Sequence, residues 1–144
     1  MWVLYSLIAA ILWGLDYTLA GRLLGKIGFP LLLAVEFFCG FLVMLVTGLV
    51  SGTYKVEIPR LFASSQTVAI LIIMIGAFVA AHVCIVLSIG DKNATLASLI
   101  EMSYPLFVAA FSWLLFKEGN LGFETAVGGT LIFVGVSIVY FFNR

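Results

Sequence analysis

The sequence predicts an all-α integral membrane protein with five transmembrane helices. Hydrophobic residues make up 64% of the 144 positions and charged residues 10%, against roughly 25% charged in an ordinary soluble domain. Mean hydropathy is +1.25. Five apolar segments, near 2–21, 30–50, 67–89, 94–116 and 123–142, each approach the ~20 residues a helix needs to cross a bilayer. None has the short alternation of a barrel strand. The expected organisation is one membrane domain over residues 1–144. The composition excludes a soluble enzyme of the usual type, a disordered chain and a nucleic-acid binder.

The elements follow in order. Met1 to Trp13 is apolar, lacks a basic start and runs on past any plausible cleavage point, which reads as a retained first helix rather than a signal peptide. Pro30 suits the first turn of helix 2, where its missing N–H costs nothing. The stretch 51–66, with Lys55, Glu57, Arg60 and aromatic side chains, suits the headgroup layer and reads as a linker. Ser64, Ser65, Gln66 and Thr67 offer caps for helix 3, Asn93 for helix 4 and Asn120 for helix 5. The two cysteines, Cys39 and Cys84, lie in apolar runs, which argues against a disulfide scaffold. No internal repeat is visible within the five helices.

Charge gives little orientation. The side that holds the N-terminus receives Lys55, Arg60 and Lys117, and the opposite side Arg22, Lys26, Lys92 and Arg144. Basic residues normally mark the cytoplasmic side, but here the difference is one residue and the N-terminal amine can cancel it. Either small effects set one orientation, or the chain inserts both ways and two opposed copies form an antiparallel dimer.

Three carboxylates lie within the spans: Asp16, Glu36 and Glu101. Each costs about 2.5–3.5 kcal/mol at a helix centre unless water or a partner reaches it. Asp16 lies past the middle of helix 1. Glu36 follows Pro30 by six residues and Glu101 follows Ala94 by seven, on helices that run the other way. All three therefore fall in one layer on the side away from the N-terminus, which predicts a polar cavity there. Ala94, Ala97, Ser98, Glu101, Pro105 and Ala109 share one helical face, as do Glu36, Gly40 and Met44, and Ala9, Trp13, Asp16 and Ala20. Pro105 removes a donor, frees the carbonyl of Glu101 and is the expected hinge. Trp13, Tyr17 and Tyr104 are near enough along the chain to form aromatic walls for an organic cation. Burial and like charge favour the protonated form of a carboxyl, so such acids can couple proton flow to the movement of a solute, or hold a cationic solute.

His82 lies on an apolar face of helix 3 and reads as a packed or hydrogen-bonded histidine. No metal-ligand pair or zinc motif is visible, and neither a metal nor a cofactor is expected. Gly122, Ala126 and Gly129, with Gly135 on an adjoining stripe, form a small-residue seam in helix 5, for packing within the chain or in a dimer.

These features resemble one EamA unit of the drug/metabolite transporter superfamily. The likeness begins at Trp13-Gly14, with Tyr17 and Arg22. It is strongest over Ala94–Glu118, where small residues, a proline and a helix end in Lys117-Glu118, and it closes in the Gly-rich run Gly128–Val136. The resemblance implies alternating access by a helical bundle. Typical members have ten helices in two opposed five-helix units, so this chain is expected to be a half-transporter that pairs with a second copy of itself. It also implies small-molecule substrates and a prokaryotic plasma (inner) membrane. Where members often place a basic residue before a helix 2 phenylalanine, this chain has Glu36-Phe37; the added acidity favours cations. The smaller four-helix multidrug exporters carry a glutamate in helix 1, a rough counterpart of Asp16 in a different surrounding pattern.

The leading expectation is a secondary transporter, working as an exporter of small cationic or amine-containing metabolites or drugs, coupled to protons. A cation channel is one alternative, although no re-entrant filter sequence is present. A structural membrane subunit is another. An enzyme is the weakest reading, because no nucleophile–base constellation is visible.

Overall fold

Long runs of Leu, Ile, Val and Phe without soluble-type amphipathicity form helices that satisfy their own backbone, as a bilayer demands. In the computed structural model, which describes residues 1–117 and 122–143, the helices are α1 (Trp2–Leu23), α2 (Phe29–Ser51), α3 (Thr53–Phe62), α4 (Ser65–Asp91), α5 (Ala94–Glu101), α6 (Tyr104–Phe116) and α7 (Phe123–Asn143). No strand occurs among the described residues. Five stretches are long and apolar enough to cross a membrane: Trp2–Leu23, Phe29–Ser51, Ser65–Asp91, Ala94–Phe116 and Phe123–Phe142. Asn120, Glu118 and Arg144, used above as a cap, a turn residue and a charge, lie outside the described residues.

Local chemistry sets the helix ends. Gly28 is the extended N-cap of α2, with Pro30 in the first turn. The Asn93 side chain accepts the Leu96 N–H at 2.9 Å and caps α5. Ser64 Oγ accepts the Thr67 N–H at 3.5 Å ahead of α4. Lys117 ends α6 with φ 58°, its N–H bonded to the Trp113 carbonyl at 3.0 Å and its ammonium 5.1 Å from the Trp113 ring centre. Hydroxyls inside the spans bond back to their own helix: Thr18 to the Gly14 carbonyl at 2.7 Å, Thr47 to Val43 at 2.8 Å and Ser137 to Phe133 at 2.8 Å. They need no outside partner.

Two elements depart from expectation. The linker expected over 51–66 contains a helix, α3. Gly52 takes a left-handed φ of 71° and closes α2 through the Leu49 carbonyl. Tyr54, Ile58 and Leu61 then recur at helical spacing, and the Tyr54 hydroxyl donates to the Met44 carbonyl at 2.8 Å. The Tyr54 ring covers Gly48, where a methyl group would collide with it. At 10 residues, α3 reaches about 15 Å and is too short to span. The second departure is the fourth span. It was expected as one helix with a bend, and it is interrupted at Met102 and Ser103 between α5 and α6. Pro105 stands in the first turn of α6. A proline has no N–H for the carbonyl one turn earlier and its ring clashes with that carbonyl, here Glu101, so the turn tightens and the helix is interrupted before it restarts.

The residues fall into two compact units, 1–18 with the chain from 88 onward, and 19–87. In the second, Ala20, Leu32, Leu33 and Val86 form the buried cluster, with Leu24, Ile27, Phe37 and Val83 packed around it. In the first, Ile89 and Ala97 are buried, α5 packs on α7, and Leu106 lies over Gly129, 2.7 Å from where a β-carbon would stand.

Candidate functional site

The first unit holds a polar contact at membrane depth. Tyr17, half-buried on α1, donates its hydroxyl to Glu101 Oε1 at 3.0 Å. Glu101 is the last residue of α5 and is half-buried. Tyr17 and Glu101 are 84 residues apart in sequence. Trp13 stands one turn before Tyr17, with ring centres 5.5 Å apart and planes tilted by 54°. Asp16, exposed on α1, and Tyr104, exposed at the start of α6, lie with Glu101 within electrostatic reach of the Tyr17 hydroxyl. Asp16, Glu101 and Tyr104, all singled out from sequence, thus lie around the Tyr17 hydroxyl, with Trp13 beside the Tyr17 ring. Glu36 belongs to the second unit, half-buried on α2 beside Phe37.

The helix break gives this contact its chemistry. A regular helix would pass the Ser103 N–H to Leu99 and the Leu106 N–H to Met102. Instead the Ser103 N–H bonds to Ile100 at 3.1 Å and the Leu106 N–H to Ser103 at 3.0 Å. Pro105 has no N–H to give to Glu101. The carbonyls of Leu99, Glu101 and Met102 thereby lose their regular helical donors beside the Glu101 carboxylate. Sequence reasoning found Pro105 and the carbonyl of Glu101, but missed Ser103 and the two further carbonyls. The clash of a proline ring with the carbonyl one turn earlier was the available signal.

Next to the break, α6 and α7 leave an open, mostly apolar groove of about 590 Å³, lined by Pro105, Leu106 and Ala109 on one side and Ala126, Gly129 and Thr130 on the other. The expected seam divides here. Gly129 is used within the chain, against Leu106, whereas a β-carbon at Gly135 would meet nothing within 4 Å. At Gly122 it would meet only the nearby Glu124 side chain, 2.8 Å away.

His82, in the second unit, is held as a packed histidine. Its Nδ1 lies 3.0 Å from the Phe78 carbonyl, which can only accept, so Nδ1 carries the proton. Its ring centre lies 4.2 Å from that of Phe78 and 5.4 Å from that of Phe37. Among the described residues no group of three or more His, Cys, Asp or Glu assembles as a metal site.

No curated protein and no solved structure matches the chain. The model of the EamA-like transporter family matches residues 1–141, taking in the Tyr17–Glu101 contact, the helix break and nearly all of the last span, and the chain belongs to this family, as a membrane transporter of the drug/metabolite superfamily.

Proposed function

We propose that the chain is one half of a proton-coupled exporter of small cationic or amine-containing solutes, and that it works by alternating access as an antiparallel homodimer in a prokaryotic inner membrane. The observation that carries this reading is the half-buried Glu101 carboxylate, held by Tyr17 at 3.0 Å at the end of a broken spanning helix. An acid at membrane depth is costly and is retained where it binds an ion or a proton. Glu101 and Asp16, both in the first unit, bind the solute or the proton, and Glu36, in the second unit, is a separate candidate for the proton. Trp13, Tyr17 and Tyr104 form the aromatic wall, and the interruption before Pro105 is the hinge. The family's members are transporters rather than enzymes. Pairing with an opposed copy is supported by the near-equal basic charge on the two sides and by the exposure of Asp16 within α1.

Two measurements test this. Cysteines placed beside each terminus are labelled from outside intact cells. Labelling of both termini in comparable fractions is expected, and a single orientation overturns the antiparallel homodimer. Purified protein is then titrated with primary amines in weak buffer. Proton release that disappears in Glu101→Gln is expected; no release from the wild type overturns the coupling, and single-channel currents would replace the transporter with a channel.

A further inference from the structure

We infer that the break between α5 and α6 is a cradle of acceptors for a donor-bearing ammonium group, so that the site selects primary amines over quaternary ammonium ions of the same skeleton. The inference rests on the cation reading above and deepens it.

The break is unbalanced in its hydrogen bonding. The carbonyls of Leu99, Glu101 and Met102 have lost their regular helical donors, because the Ser103 and Leu106 N–H groups bond elsewhere and Pro105 has none. Carbonyls at the end of a helix point along its axis, here out of α5 toward the break. The Glu101 carboxylate belongs to the last residue of α5, one of the three whose carbonyls are freed, and its Oε1 is taken by Tyr17, so that Oε2 can receive a ligand. On the other side, α6 would normally present free N–H groups, but Pro105 removes one of them. The break is therefore rich in acceptors and poor in donors.

Backbone carbonyls without donors are costly at membrane depth and persist only where protein, water or a ligand satisfies them. The ends of interrupted helices serve cations in this way in membrane transporters. A carboxylate alone does not choose between cations, since it neutralises a trimethylammonium group as well as an –NH₃⁺ group. The carbonyls do choose. An –NH₃⁺ group carries three donors and no acceptor, so it can serve the carboxylate oxygen and two carbonyls at once. A quaternary nitrogen has no N–H and covers the same carbonyls with methyl groups, leaving them unpaired and dry. The aromatic residues at hand, Trp13 and Tyr17, have rings tilted by 54° to one another, and the Tyr17 hydroxyl is engaged with Glu101.

The test compares 2-phenylethylamine with its N,N,N-trimethyl counterpart by calorimetric titration of the purified protein in lipid nanodiscs. The primary amine is expected to bind at least about tenfold more tightly, a modest share of the discrimination that unpaired polar groups give a closed site. Pro105→Ala restores an N–H for the Glu101 carbonyl. It should weaken the primary amine severalfold and leave the trimethyl compound unchanged, which also serves as its folding control. Glu101→Gln should weaken both. Equal or tighter binding of the trimethyl compound overturns the inference, as does a Pro105→Ala effect of equal size on both ligands; in either case Glu101-dependent binding leaves the cation reading standing. Failure of the wild type to bind either compound overturns the inference and the cation reading together.

Discussion

At the scale of single residues, the contact between Tyr17 and Glu101 decides most. A hydrogen bond to a charged acceptor is worth about 1.5–3 kcal/mol when enclosed, and less here because both partners are half-exposed. Tyr17→Phe keeps the ring against Trp13 and removes only the donor. Thermal unfolding in lipid nanodiscs is expected to register a loss of about 1 kcal/mol, and amine-driven transport in liposomes a fall of about tenfold, because an undirected carboxylate no longer faces the break. Unchanged transport in a folded Tyr17→Phe protein would remove Tyr17 from the site. Both residues stood out in the sequence, Glu101 for its cost in a membrane and Tyr17 as an aromatic near an acid. Their pairing did not, because helical periodicity orders neighbours a few positions apart and carries nothing across the 84 residues between these two.

At the scale of elements, legibility followed the range of the forces involved. The ends of α2 and α5 were readable because a proline in the first turn and an asparagine N-cap act within four residues. Asn93→Ala should cost about 1 kcal/mol through the unbonded Leu96 N–H, seen as faster hydrogen exchange confined to the first turn of α5. The break between α5 and α6 was half readable. Pro105 signalled a bend, but whether a helix bends or parts depends on where the displaced carbonyls find partners, a tertiary matter. The helix α3 was missed because its charged residues and Pro59 suit a linker in the headgroup layer, while the feature that fixes it is a ring resting on a glycine of α2. Gly48→Ala tests that packing. The added methyl meets backbone-anchored ring atoms of Tyr54, so overpacking by about 1–3 kcal/mol is expected. Limited proteolysis should then open 53–62 first, while amine binding at Glu101 holds. Gly129→Ala meets only the far end of the flexible Leu106 side chain and should be mild.

For the whole molecule, the argument turns on what lies outside. The buried hydrophobics among the described residues are Ala20, Leu32, Leu33, Val86, Ile89 and Ala97, and most of the large apolar side chains are exposed. Lipid accepts that apolar surface at no cost, so exposure alone calls for no partner. Asp16 differs. It is exposed within a membrane-length helix, and lipid does not accept a carboxylate. A second copy can enclose it with water, and the open face of α7 gives such a copy a place to approach closely. Gly135 is suited to test this, because a side chain there meets nothing within 4 Å in its own chain. Gly135→Leu should therefore leave the helices of one chain intact by circular dichroism, since Leu is also the better helix former. The same change should abolish cross-linking between copies, along with transport, because backbones can no longer meet at that point. If cross-linking and transport persist at wild-type levels, α7 is not the seam and the partner covers another face. If the helices themselves are lost, Gly135 packs within its own chain after all, and the open face assigned to α7 is wrong.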